Sequence, residues 1–94
     1  MATFFLFGKY SASSIKDISA KRSQAAAETV KKLGGELKSL HALLGEHDLV
    51  MIVELPGIAE AVKCSLSLAR HTGIAFTTAP AIPVEQFDKL AAET

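Results

Sequence analysis

The chain is poor in cysteine, in net charge and in long hydrophobic runs, and each shortage removes a class of protein. A single cysteine, Cys64, excludes an intramolecular disulfide framework and any zinc or iron–sulfur site built on several cysteines, and it fits a reducing cytosol. Ten basic residues balance ten acidic ones. Such a chain carries no electrostatic footprint for a phosphate backbone or an anionic bilayer, so neither nucleic acid nor membrane is expected as a partner. The apolar opening Met1-Ala2-Thr3-Phe4-Phe5-Leu6-Phe7 lacks a basic n-region and meets Gly8-Lys9 too soon for a signal h-region or a membrane span. It reads as the first strand of a soluble, cytoplasmic protein. Gly34-Gly35 follows a helical stretch without the G-x-G-x-x-G spacing, which implies no phosphate loop.

What is present is a globular composition, 49% hydrophobic and 21% charged over 94 residues. That length makes one domain over residues 1–94, with a folded surface of roughly 5,200 Å² and ~64% of the unfolded surface buried. A core of that size is modest, so a partner should add to stability.

Hydrophobic periodicity orders the elements. Residues 2–10 form a strand with Phe5 and Phe7 on one face and Phe4 and Leu6 on the other. Residues 11–33 are helical, with Ser14 and Asp17 as a capping-box-like start, a break at Ser19, and Ala26, Thr29, Val30 and Leu33 as the buried stripe. Residues 36–43 place Leu37, Ser39, His41 and Leu43 on one face. After a turn near Leu44-Gly45-Glu46, residues 47–55 give a strand in which Leu49, Met51 and Val53 oppose Val50 and Ile52, and the two strands pair as a hairpin. Pro56-Gly57 ends this strand. The next helix runs to about His71, with Ala59, Val62, Leu66 and Ala69 as its apolar stripe and Gly73 as a left-handed terminator. Residues 74–80 supply a fourth strand with Ile74, Phe76 and Thr78 on one face, and Pro83 opens a short helix striped by Val84, Phe87, Leu90 and Ala91.

The order β-α-β-β-α-β plus a terminal helix is the α+β, ferredoxin-like pattern. Two helices cover one face of a four-stranded sheet. The opposite face is still apolar, so a second copy packing sheet on sheet is expected, giving a homodimer through the open sheet face.

His41, His47 and Asp48 gather around the hairpin beside Glu46. They are the candidate ligand-binding residues, because imidazole is the one side chain here that changes charge near neutral pH. His47 and Asp48 point to opposite faces if both lie in the strand, which is poor metal-ligand spacing, so no metal is expected. Asp48 suits anchoring of backbone N–H groups, Gly45 suits a positive φ, and a satisfied histidine at a core, interface or sheet end explains His41 and His47 as well as a site does. Cys64 lies in mid-helix, away from any dipole that would activate its thiol, and reads as structural.

The run Gly45-Glu46-His47-Asp48-Leu49-Val50-Met51-Ile52-Val53-Glu54, followed by Pro56, resembles the GYD-domain family of small bacterial and archaeal proteins, whose motif is a glycine, one residue, tyrosine and aspartate entering an apolar strand. Lys21-Arg22, Leu33-Gly34-Gly35, Thr77-Thr78 and Pro83-Val84-Glu85-Gln86-Phe87 extend the likeness over nearly the whole chain. Two positions depart from it: His47 stands in the place of the tyrosine, and Gly57 replaces the acidic residue common after the proline. The resemblance implies Gly45 as the turn residue, Asp48 as the motif aspartate, and a dimeric α+β barrel. That architecture is shared with cofactor-free monooxygenases, muconolactone-type isomerases and the ligand-sensing domains of Lrp-like regulators. It implies no particular reaction, since one fold hosts many functions.

The expectation drawn from all this is a cytosolic homodimer that binds a small molecule between each sheet and its helices, without a cofactor. The alternative is a cofactor-independent monooxygenase or isomerase using His41 or His47 as a base.

Overall fold

A computed structural model describes residues Met1–Thr94. The strands are β1 (Ala2–Lys9), β2 (Glu36–Ala42), β3 (Leu49–Leu55) and β4 (Ala75–Ala81), and the helices are α1 (Ala12–Lys16), α2 (Ala20–Lys32), α3 (Ile58–Thr72) and α4 (Val84–Ala92). The strands form one sheet in the order β2-β3-β1-β4 with every neighbouring pair antiparallel, which is the ferredoxin-like arrangement. No helix is long and apolar enough to cross a membrane.

The helix-covered face holds Phe4 and Leu6 of β1 and Leu49, Met51, Val53 and Leu55 of β3, packed against Ala26 and Val30 of α2 and Ala61, Cys64 and Leu68 of α3. Phe5, Phe7, Val50 and Ile52 occupy the other face, as the two-residue period of a strand requires. Gly35 lets β2 start hard against β3: a Cβ there would stand 2.2 Å from the Glu54 carbonyl oxygen.

The helical region is broken where Ser19 caps α2, its Oγ accepting from the Arg22 N–H. The capping box of α1 is one turn earlier than expected. Ser11, not Ser14, is the cap, and the Ser14 Oγ accepts from the Ser11 N–H at 2.7 Å while the Ser14 N–H donates to the Ser11 Oγ at 3.1 Å. The exchange satisfies Ser14, which is fully buried.

Two expected faces are rearranged. In β2 the pairing shifts register between Leu37 and Ser39, so Leu37 faces Val53, Leu40 faces Met51 and Ala42 faces Leu49. The extra residue, Lys38, inverts the alternation, a β-bulge that keeps both Leu37 and Leu40 on the core side. Ser39 and His41, paired with Ile52 and Val50, therefore lie on the open face without Leu37 beside them.

In α3 the buried stripe is Ala61, Cys64 and Leu68, whereas Val62 and Leu66 are each 51% exposed. Ala61 and Cys64, both small, let the first half of the helix approach the sheet. The larger Ile58, Val62 and Leu66 border a groove of about 360 Å³ beside Phe76 and Pro80 of β4. Gly73 ends α3 at φ +73°, as its position predicts.

The stripe of α4 exists, but no residue of that helix is buried, and Val84, Phe87 and Leu90 face solvent. The result is an extended outline of 48 × 30 × 18 Å with a radius of gyration of 14.1 Å, against about 12 Å for a compact chain of this length. The exposed surface of 6325 Å² likewise exceeds the roughly 5,200 Å² expected of a folded monomer.

Candidate functional site

The expected site residues diverge around the β2–β3 connection. Gly45 has φ +147°, a conformation reserved for glycine, and open space surrounds the position of a Cβ. Asp48 precedes β3 and works on the backbone: its Oδ2 accepts from the Tyr10 N–H at 2.7 Å, its own N–H donates to the Gly8 carbonyl at 2.8 Å, and its carbonyl accepts from the Leu43 N–H at 2.8 Å. One short acidic side chain thereby ties the end of β1 to the hairpin. The Lys9 ammonium adds a bond to the Glu46 carbonyl at 3.0 Å.

His47 turns away from Asp48. Its ring packs on Phe7 in a tilted arrangement, 5.1 Å between centroids and 39° between planes, on the open side of the sheet. His41 is exposed on that side as well. Two imidazoles thus border the uncovered apolar face, and the carboxylate does not join them. No three His, Cys, Asp or Glu side chains converge anywhere in the chain.

Cys64 is fully buried on the sheet-facing side of α3, where loss of hydration pushes its thiol up to about 11. The neutral thiol is a core group, as its mid-helix position predicts.

A cavity of about 300 Å³ opens where the start of α2 and the end of α3 meet β2, β3 and the first residues of β4. Ten of its fifteen lining residues are hydrophobic, among them Leu40, Leu49, Met51, Ile74 and Phe76. A second depression, about 430 Å³ between α2 and α3, is walled mainly by polar and charged side chains such as Glu28, Lys32 and Lys63. An apolar cavity with few polar groups is the better ligand site, since apolar burial supplies affinity and isolated polar groups supply orientation.

Most of the hydroxyls around the cavity are already engaged. The Ser19 Oγ accepts from the Arg22 N–H, the Ser23 hydroxyl donates to the Ser19 carbonyl, and the Thr72 hydroxyl donates to the Leu68 carbonyl while accepting from the Ile74 N–H. His41 borders the cavity, although its pairing with Val50 directs the ring toward the open face. That leaves Tyr10 and Arg22. The guanidinium lies over the phenol ring, 5.6 Å from its centroid, and donates to the Ser14 carbonyl.

Arg22 is absent from the candidate residues that the sequence pattern singles out, yet it carries a signal. It follows Lys21 in the first turn of α2, a turn that holds no acidic residue. Cations are unfavourable at the positive end of a helix. The hydrogen bond of Arg22 to Ser14 and its stacking on Tyr10 hold it there, and a position that breaks a local rule is one to inspect for function.

The family model for the GYD domain matches residues 4–91. No curated protein matches the chain. Among solved structures the chain is similar to the leucine response regulatory protein (LrpA) of Mycobacterium tuberculosis, with a TM-score of 0.58 at 11% identity, over 87% of this chain and 51% of that one. The chain spans about half the length of that protein, and the likeness concerns the fold.

Proposed function

The chain belongs to the GYD-domain family, and from that premise we propose that it is a cytoplasmic small-molecule-binding protein acting as a homodimer. The observation that carries the reading is the cavity of about 300 Å³ between sheet and helices, apolar in most of its wall. Its volume lies at the lower bound for small-molecule pockets, so the ligand is compact.

The dimer is supported by two features. Phe5, Phe7, Val50 and Ile52 form an apolar centre on the uncovered face, and exposing such a patch is uncommon in monomers. The chain also shows about 1,100 Å² more surface than a monomer of its mass needs. A standard interface removes roughly 800 Å² from each partner, so a second copy would account for much of that excess. The cytoplasmic assignment rests on the lone, buried, reduced thiol.

One observation favours the enzymatic alternative, a cofactor-independent monooxygenase or isomerase: His41 stands at the rim of the cavity with its side chain exposed. Calorimetric titration with apolar metabolites, paired with oxygen-uptake and isomerisation assays, separates the two. Saturable binding without turnover supports the binding protein, and turnover abolished by His41→Ala supports the enzyme. Light scattering that finds only the 10.0 kDa chain at micromolar concentration removes the dimer.

A further inference from the structure

We infer that the ligand is a hydrophobic carboxylic acid, bound as its carboxylate, with Arg22 as the group that holds the charge. This rests on the binding role proposed for the cavity and adds the chemical class of what enters it.

The charge around the cavity has one sign. Arg22 is the only formally charged residue in the wall, and neither Asp nor Glu lines it. The chain as a whole is neutral, so this local excess is a property of the site. Arg22 has no carboxylate partner either, because the single ion pair in the protein joins Lys38 to Glu36. A guanidinium offers five N–H donors in a planar fork. One bond goes to the Ser14 carbonyl, and that bond together with the Tyr10 ring fixes the fork at the cavity wall with donors to spare. A fixed planar fork matches a carboxylate in two parallel hydrogen bonds, which an ammonium cannot reproduce.

The first turn of α2 adds to this. Its positive end is unrelieved by any acidic side chain and carries Lys21 as well as Arg22. Ser19 caps one of the N–H groups there, and an anion bound at Arg22 would offset the rest of that field. Beyond the fork most of the wall is apolar, with Met51, Leu49 and Phe76 able to enclose a ring or a branched body, and the Ser19, Ser23 and Thr72 hydroxyls are already engaged within the chain. A single anionic group on an apolar body therefore fits both parts of the site. A highly charged polyphosphate or a sugar would leave polar groups unpaired against that wall.

The test compares 1-naphthoate with its neutral analogue 1-naphthamide by calorimetry on the whole protein, and repeats both titrations on Arg22→Gln and Arg22→Lys. The acid should bind at least about tenfold more tightly than the amide, and rising salt should shrink that margin because Arg22 is only half-buried. Arg22→Gln should abolish the margin and leave the amide's affinity unchanged, which also reports an intact cavity; Arg22→Lys should keep part of it. Equal affinities in the parent, or a margin that survives Arg22→Gln, overturn the role of Arg22 while leaving a binding cavity. Should neither compound bind the parent, the cavity reading falls together with this one. If Arg22→Gln loses the amide as well, the salt dependence in the parent and the Arg22→Lys margin decide: a salt-insensitive margin overturns the inference.

Discussion

The two faces of the sheet are built from similar residues and serve different ends. On the helix side, Phe4, Leu6, Met51, Val53 and Leu55 are buried within the chain. On the other side Phe5, Phe7 and Ile52 are only half-buried, and His47 and His41 border them. Apolar character therefore does not tell which face holds the monomer together; the presence of a covering layer does. The helix side stores intramolecular stability, while the open side is left to solvent within the single chain; in the proposed dimer its burial would depend on concentration.

The strongest way to break this comparison is to truncate one residue on each face. Leu6→Ala removes a fully buried side chain and should cost about 2–5 kcal/mol in chemical denaturation. Phe5→Asp, its neighbour on the open face, should leave the secondary structure seen by circular dichroism intact while weakening self-association by about tenfold or more in light scattering, because an unpaired charge would be buried at the interface. Equal losses of monomer stability from both changes would erase the distinction between the faces.

A smaller effect is expected from the Asp48 tie between β1 and the hairpin, which both faces share. Asp48→Ala leaves the Tyr10 N–H without its acceptor and should destabilise the fold by about 1–3 kcal/mol, whereas Asp48→Asn keeps an acceptor and should cost less. An alanine variant as stable as the parent would mean that the carboxylate serves something other than the hairpin. Gly45→Ala should cost on the order of 1 kcal/mol or more from its φ of +147° alone, since nothing crowds the position, and equilibrium unfolding would read it.

The smallest effects separate the histidines and the thiol. His41→Ala should barely shift the thermal midpoint of the dissociated chain, because the ring is exposed there. Cys64 should resist alkylation in the folded protein near pH 8. Its folded thiol is raised to about 11 from an ordinary value of 9.0, so the native state holds the proton longer than the unfolded chain does. The stability linked to it is present below pH 9 and falls as pH rises from about 9 toward 11. A denaturation series over that range, with Cys64→Ala as the reference, checks the sign.

Much of the contrast between the faces is legible in the order of the amino acids. The unbroken apolar run Leu49–Val53 and the aromatic run Phe4–Phe7 both announce strands with two apolar sides, and the helix break at Ser19 and the stop at Gly73 follow from capping chemistry. The face occupied by each residue of β2 is not legible there. One bulge at Lys38 reverses the alternation, and a bulge is chosen by the partner strand, which must keep Leu37 and Leu40 against Val53 and Met51. The stripe of α3 escapes the sequence for a related reason. Two apolar stripes one residue apart both have helical spacing, and only the closeness of the sheet selects the one with Ala61 and Cys64.

The candidate site divides in the same way. Asp48 and Gly45 can be read from the sequence because a short acceptor and a glycine act on backbone within a few residues of the turn. Arg22 and Tyr10 are brought together from different elements, and the cavity beside them is closed by residues as distant as Ile18, Met51 and Phe76. Element order, the apolar character of both sheet faces and the turn chemistry were settled by the chain itself, since they depend on local conformational preference and on a period of two or of about 3.6 residues. The bulge, the choice between helix stripes, and the pairing of one unpartnered cation with an apolar cavity were decided by the tertiary structure, because each depends on the distance between segments that local preference does not set.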